Sequence, residues 1–287
     1  IALKTALAAT GRPGIVAFEP SYHGLTLGAL AVTSREEFRA PFVAHLHGHV
    51  RRLSYAVGLN RVEKALAGGE VGAVIAEPIV GREGVLIPPA GWLAGLSDLC
   101  RRHGALLIAD EIFTGFGRTG RLFAVEHEGV RPDVLCCGKA LGGGLPIAAV
   151  IARRDLFHCW ETPGEARHTA TFLANPLACA AALAAVEVLL EEDLSARAAR
   201  LGEDLGRRLA AWPERFPAVE EVRGRGLLWG VQFRTGEEAK KWMLDAWSRG
   251  VLLLAGGPEG RVGQIVPPLT VRAEQLGAAV GILESML

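Results

Sequence analysis

Two short segments hold the residues that could do chemistry. In Cys136-Cys137-Gly138-Lys139-Ala140-Leu141-Gly142-Gly143-Gly144 a lysine stands at the end of an apolar run and ahead of a glycine-rich turn. Glycines in such a turn let a ligand approach the backbone. An amine taken out of water gives up its proton more readily and becomes a nucleophile for a carbonyl carbon. Lysine occurs only at positions 4, 64, 139, 240 and 241, and of these only Lys139 has an apolar setting. Alone, the segment reads equally well as a lysine that extends its ammonium from a strand end into solvent. The second segment is Ala109-Asp110-Glu111-Ile112, where two adjacent carboxylates follow a fully apolar strand. One of them must point inward, and a buried aspartate needs a cationic partner. A protonated pyridine nitrogen would serve, and the ring would then act as an electron sink. For a lone strand-end aspartate, a helix cap or a structural ion pair is the simpler reading. Lys139 on the next strand, at the same mouth of the sheet, favours the chemical one.

The elements that must position these residues alternate between short apolar runs and helical patterns. Ile15 to Phe18, Ala73 to Ala76, Ala105 to Ala109, Val134 to Cys137 and Ile147 to Ile151 read as strands, the rhythm of an α/β layer. Ala105-Leu-Leu-Ile-Ala109 is apolar at every position, which implies burial on both faces of a parallel sheet covered by helices. Ligands of such sheets sit off the carboxyl ends of the strands. Asn175-Pro176 starts a packed, Ala-rich helix that runs to about Glu191 and bridges two domains. Beyond it come helices near Leu194 to Trp212 and Glu237 to Arg249, a strand at Leu227 to Phe233 and a last helix from about Ala273. The chain is therefore read as a large domain over 1–191 and a small α+β domain over 192–287. The opening Ile1-Ala-Leu-Lys-Thr-Ala-Leu-Ala-Ala is already helical and has no capping residue ahead of it, so a helix start upstream of Ile1 is expected.

Composition narrows the partners. The chain has 287 residues, 50% hydrophobic, and Lys+Arg at 31 balances Asp+Glu at 31, so no summed field draws it to nucleic acid or to an anionic membrane. Its longest apolar stretches, such as Ala180 to Leu190, are too short to span a bilayer, and no signal peptide is visible, so a cytoplasmic protein is expected. Five cysteines without zinc-like spacing suit reduced thiols.

The chemical segments belong to a longer pattern. Ser21-Tyr22-His23-Gly24, Ala76-Glu77-Pro78-Ile79, Leu106 to Gly120, Asp133 to Lys139 and Thr171-Phe172-Leu-Ala-Asn175-Pro176 together resemble the class III aminotransferases, the ornithine and ω-amino-acid group of fold-type-I pyridoxal-phosphate enzymes. The resemblance implies a three-layer, mostly parallel α/β fold with a smaller C-terminal α+β domain. It implies pyridoxal 5'-phosphate as cofactor, with Lys139 as the lysine that carries it and Asp110 as the partner of its ring nitrogen. Tyr22 and Ile112 would then lie on the two ring faces, and His23 and Glu77 would also belong to the cofactor site. Thr171 would reach the partner subunit's phosphate across a homodimer interface. The implied reaction is ping-pong amino transfer from an amino acid or ω-amine to a 2-oxo acid, with Lys139 as nucleophile and base. A truncated or degenerate non-catalytic homologue, or a decarboxylase or racemase of the same family, remain alternatives.

Three departures bear on substrate and cofactor. The family's phosphate loop precedes the helix within which Ile1 opens, and a helix N-terminus is a main anion site. Gln264 stands three residues before Pro267-Pro268-Leu269, where the family commonly carries a carboxylate-clamping arginine; a neutral amide does not replace that charged fork. Arg82, in Glu77-Pro-Ile-Val-Gly-Arg82-Glu83, takes the place of the acid that pairs with this arginine, and is read as an alternative carboxylate contact. Phe113 replaces a frequent glutamine. Among competing motifs, Gly115-Phe-Gly117-Arg-Thr-Gly120 fits a dinucleotide pattern but opens no sustained helix. His45, His47 and His49 could share a strand face and bind zinc, but lack a fourth ligand and read as a solvated surface loop, so no metal is expected. Arg223-Gly-Arg225-Gly reads as a turn in the small domain rather than a nucleic-acid contact.

Overall fold

The computed structural model describes residues 1–161 and 163–287. Two compact units are present, one of 1–78, 88–113 and 125–187 and one of 79–87, 114–124 and 188–287. Two segments from within the first 191 residues thus pack into the second unit.

The first unit is built on a six-stranded sheet in the order β2-β1-β3-β4-β5-β6. Its strands are β1 (Gly14–Glu19), β2 (Val50–Ser54), β3 (Val71–Ala76), β4 (Leu106–Asp110), β5 (Val134–Cys137) and β6 (Ala149–Ala152). All neighbours are parallel except β6, which runs antiparallel to β5 at the edge. Every residue of β3 and β4 is buried, because alternate side chains serve two different layers. Ile15, Ala17, Ala73, Ile75, Leu106, Ile108 and Val134 form one core with Ala2 and Ala6 of the helix Ala2–Thr10. Facing the other way, Phe18 meets Trp92 of the helix Trp92–His103 edge-on at 5.0 Å. The unit is therefore three-layered. No described helix is long and apolar enough to cross a membrane.

The second unit holds an antiparallel sheet, β7 (Val219–Arg225), β8 (Leu228–Phe233), β10 (Val262–Ile265) and β9 (Leu254–Gly256), in that order. The helices Leu194–Leu209, Gly236–Ser248 and Ala273–Glu284 contribute to its core, where Trp212 and Trp242 meet edge-on. Thr235 and Glu238 close a capping box at the start of the second of these.

Several expectations change. Val50–Ser54, which was not among the expected strands, forms one, with its Arg52 set against Glu19 at 3.4 Å. Arg223 and Arg225 lie within β7 rather than in a turn, paired antiparallel with Gly230 and Leu228 of the next strand, and Arg223 Nε donates to the carbonyls of Gly84 and Val85 at 3.0 and 3.2 Å. The helix Pro176–Glu191 forms as expected, with Asn175 Oδ1 accepting from the Ala178 amide at 3.2 Å. It is not packed all round, however: Leu177, Leu183 and Leu190 are more than half exposed.

Candidate active site

The parallel strands β1, β3, β4 and β5 end on one side of the sheet, and each delivers one part of the site from its carboxyl end. Tyr22 and His23 follow β1, Glu77 follows β3, Asp110 closes β4 and Lys139 follows β5. β4 and β5 are held in register by Asp133, whose Oδ2 accepts from the Leu107 amide at 2.9 Å and whose own amide donates to the Leu107 carbonyl at 3.0 Å.

Asp110 is buried and both its oxygens are engaged. His23 Nδ1 lies 2.7 Å from Oδ2, and the Ile112 amide donates to Oδ1 at 3.1 Å. A carboxylate oxygen accepts more than one hydrogen bond, so the pair leaves capacity for a further donor. His23 has a side chain only 2% exposed. Burial alone pulls its pKa down, but the hydrogen bond and charge of Asp110, with the charge of Glu77 behind them, prevail and leave it raised above 6.5. Its Nε2 is buried with no hydrogen-bond partner among the described residues. The neighbouring Glu111 is also fully buried, so both carboxylates point inward rather than one; Glu111 Oε1 accepts from the Val125 amide at 2.8 Å.

The segment that carries Tyr22 and His23 is fixed by residues that motif reasoning passed over. Ser34 Oγ accepts from the Ser21 amide at 2.9 Å, and Thr33 Oγ1 accepts from the His23 amide at 3.0 Å and donates to the Gly24 carbonyl at 2.9 Å. Two hydroxyls straight after an apolar helical run were the available signal, because short hydroxyl side chains there commonly bond nearby backbone. Glu77 Oε1 accepts from the Tyr22 amide at 2.8 Å, so this acid holds the tyrosine's backbone.

A cavity of about 430 Å³ opens at this end, with His23, Asp110, Ile112, Cys136, Cys137 and Lys4 among its lining. That size suits a cofactor. The donor set fits a protonated pyridine ring: an anchored, buried carboxylate with spare acceptor capacity on the floor and an aliphatic Ile112 beside it. Burial pushes the two thiols up to about 12, so Cys136 and Cys137 stand as neutral wall rather than nucleophiles.

Lys139 departs from its expected setting. It is exposed rather than desolvated, because the chain turns sharply at the strand end and Lys139 takes a left-handed backbone with φ of 45°. Its Nζ lies 4.5 Å from the centre of the Phe113 ring. Thr171 is exposed as well, and Lys139, Tyr22, Glu77 and Thr171 are not among the described residues that line the cavity. Gly115 to Gly120 form successive turns rather than a helix start, with Gly117 and Gly120 left-handed, which removes the dinucleotide reading. His45, His47 and His49 are exposed, and no three His, Cys, Asp or Glu side chains among the described residues are grouped to hold a metal.

In the second unit, Arg82 is half-buried in a loop closed by an antiparallel bridge between Val80 and Leu86. Gln264, 3% exposed on β10, donates from Nε2 to the Gly81 carbonyl at 2.9 Å and lies 3.4 Å from that of Arg82. The Gly257 amide also donates to the Arg82 carbonyl at 3.1 Å. Gly256 must be glycine here, since a Cβ would run into Gln264 Nε2 and stand 2.7 Å from the Arg82 oxygen.

Comparison with known proteins agrees with this geometry. The family model for aminotransferase class-III matches residues 1–287. An acetylornithine aminotransferase of Methanopyrus kandleri is 44% identical over 286 residues, covering 100% of this chain and 71% of the relative. Among solved structures, an ornithine aminotransferase from Toxoplasma gondii superposes with a TM-score of 0.92 at 34% identity, over 100% of this chain and 69% of that one. A pyridoxal-phosphate-bound amine transaminase from an uncultivated Pseudomonas species gives 0.90 at 30% identity, over 99% and 73%.

Proposed function

We propose that this chain, which belongs to the class-III aminotransferases and is a pyridoxal-phosphate-dependent transaminase, uses Lys139 and Asp110 as its catalytic residues. The transfer runs from an amino acid or ω-amine to a 2-oxo acid in two half-reactions. One observation carries the assignment of roles: Asp110, buried at the end of β4 and gripped through both oxygens, lines a cavity of about 430 Å³. Bound pyridoxal phosphate supplies the electron sink that makes the substrate's Cα–H acidic. Asp110 would hold a proton at the ring nitrogen, and its two fixed contacts orient the carboxylate for that role. His23 secures Asp110 from behind. Lys139 would hold the cofactor through its side-chain amine and, as a free amine, would move a proton from the substrate's Cα. Tyr22 and Ile112 would hold the ring on its two faces, and Glu77 fixes the backbone of Tyr22 through its amide.

Thr171 is proposed as a phosphate contact for a second copy of the chain in a homodimer. Its exposure, beside Phe172 at 81% and Leu177 at 70%, supports this reading, since an apolar surface of that kind suits a partner. The five free cysteines suit a reducing, cytoplasmic setting. Arg82 is the proposed contact for a substrate carboxylate, and Gln264 contributes by holding the Arg82 loop. The names of two relatives make an ω-amino donor of the ornithine kind the first to assay.

The test is direct. The purified chain should turn yellow with pyridoxal phosphate, borohydride should fix the cofactor on the peptide that contains Lys139, and amino transfer should be measurable with a panel of 2-oxo acids. A chain that stays colourless, or a label on another lysine, refutes the assignment. Arg82→Ala should weaken acidic substrates selectively; unchanged apparent affinity for all of them removes Arg82 from the site.

A further inference from the structure

Three consecutive backbone amides after β1 each donate to a side chain from elsewhere: Ser21 to Ser34 Oγ at 2.9 Å, Tyr22 to Glu77 Oε1 at 2.8 Å and His23 to Thr33 Oγ1 at 3.0 Å. The two hydroxyls also donate onward, Ser34 to the Ser21 carbonyl at 3.0 Å and Thr33 to the Gly24 carbonyl at 2.9 Å. The Thr33 bridge therefore encloses His23, taking up the backbone on both sides of its side chain. Thr33 is fully buried and ends the helix Leu27–Val32, where its own amide donates to the Ala29 carbonyl at 3.0 Å. Leu30, Ala31 and Val32 of that helix are buried, so the hydroxyl is mounted on fixed backbone. Gly24 has a φ of 117°, a conformation that favours glycine, and a Cβ there would stand 3.3 Å from that of Ala29.

We propose that Thr33 is a positioning residue for amino transfer: its hydroxyl bridge sets the backbone of His23 so that the imidazole stays on Asp110. The proposal rests on Asp110 being the partner of the cofactor's ring nitrogen and deepens that reading. His23 Nδ1 meets Asp110 Oδ2 at 2.7 Å, and a hydrogen bond weakens steeply as its angle opens. A small rotation of the His23 backbone swings the imidazole and spoils that angle. The other carboxylate oxygen is held by the Ile112 amide, so without His23 the carboxylate keeps a contact on Oδ1 alone. Valine has the shape of threonine but no hydroxyl. In its place the His23 amide and the Gly24 carbonyl lose this partner, and buried backbone groups shift to find another rather than stay unmet.

Thr10 supplies a matched control. Its Oγ1 donates to the Ala6 carbonyl at 2.7 Å and accepts from the Arg12 amide at 3.2 Å, a like bridge ahead of the amino end of β1, away from the site. In cofactor-free protein labelled with 15N-histidine, the His23 Nδ1 proton is identified by its loss in His23→Asn. It should lie downfield of the other imidazole protons, as a short hydrogen bond to a carboxylate requires. Thr33→Val should move it upfield, Thr33→Ser, which keeps the hydroxyl, should retain it, and Thr10→Val should leave it in place. A smaller displacement of the same sign is expected in Thr33→Cys, whose thiol is a weak donor and acceptor, so the outcome does not hang on one variant. With pyridoxal phosphate bound, kcat should fall about tenfold in Thr33→Val, short of the ~10²-fold that a misplacement of about 1 Å can cost. It should recover in Thr33→Ser, with the KM for the amino donor nearly unchanged throughout, whereas Thr10→Val should lower the melting temperature alone. A His23 proton that Thr33→Val and Thr33→Cys leave in place overturns the proposal, and so does a displaced proton with unchanged kcat. Neither result touches Asp110, which is read separately in Asp110→Asn. Unchanged kcat in that variant refutes the assignment of Asp110 and the role of Thr33 with it.

Discussion

The end of β4 and the loop from Val80 to Leu86 are both tightly held, but by different means. At β4, side chains hold a side chain: a buried histidine grips a buried aspartate beside a cavity. In the loop, side chains hold backbone: Gln264 takes up the Gly81 carbonyl and Arg223 those of Gly84 and Val85. The first arrangement places charge, and charge is what a reaction that builds up a carbanion responds to. The second places shape, through neutral acceptors whose hydrogen bonds are each worth about 0.5–1.5 kcal/mol net. Changes at β4 should therefore appear in turnover, and changes around the loop in stability and substrate affinity.

The sharpest way to break that contrast is at the catalytic pair. Lys139→Ala should lower kcat/KM by about 10²–10⁴-fold or more, with the borohydride label lost and the melting temperature little changed, because Lys139 is exposed and outside the core. Asp110→Asn keeps the shape but removes the charge, and kcat should fall by about 10²–10³-fold while cofactor still binds. Turnover within tenfold of wild type in Asp110→Asn would mean that β4 places shape as well. Gln264→Leu is the complementary case. It removes the donor from a buried carbonyl, so unfolding free energy should drop by about 1–3 kcal/mol and KM for acidic substrates should rise, with kcat for an amine lacking a carboxylate nearly unchanged. Equal loss of kcat for both substrate classes would erase the distinction between the regions.

The two regions also differ in how far they could be read from sequence. Asp110 and Lys139 stood out because fully apolar runs such as Leu106 to Ala109 have one parity on each face of a parallel sheet, and the polar residue that ends such a run has to face the mouth. Lys139's exposure was not legible, since it follows from a left-handed backbone at Lys139 itself, a conformation that a side-chain-bearing residue rarely adopts. The burial of Glu111 beside Asp110 depends on the Val125 amide, fourteen residues on. β2 was hidden because its two arginines find their partners far along the chain, Arg51 at the Ala65 carbonyl and Arg52 at Glu19 and the Ala31 carbonyl. The Gln264 contact spans 183 residues, beyond any local pattern: the departure from the family's arginine was visible, but its backbone partner was not.

The smallest expected effect is the most specific to the β4 arrangement. His23 has a pKa raised above 6.5 in the folded chain, so its protonated form is favoured by folding. The sign follows: its contribution to stability is fully present below about pH 6.5, the unfolded value, and is lost as pH rises through the raised folded value. In cofactor-free protein, urea unfolding of wild type and His23→Asn should differ by about 1 kcal/mol in the acidic range, the net worth of a hydrogen bond. The gap should narrow toward alkaline pH. A gap that stays flat across that range means that the folded imidazole is neutral and that Nδ1–H donates to Asp110 as a neutral group. The pair would then place shape in the manner of Gln264, and Asp110 alone would carry the charge presented to the cofactor ring.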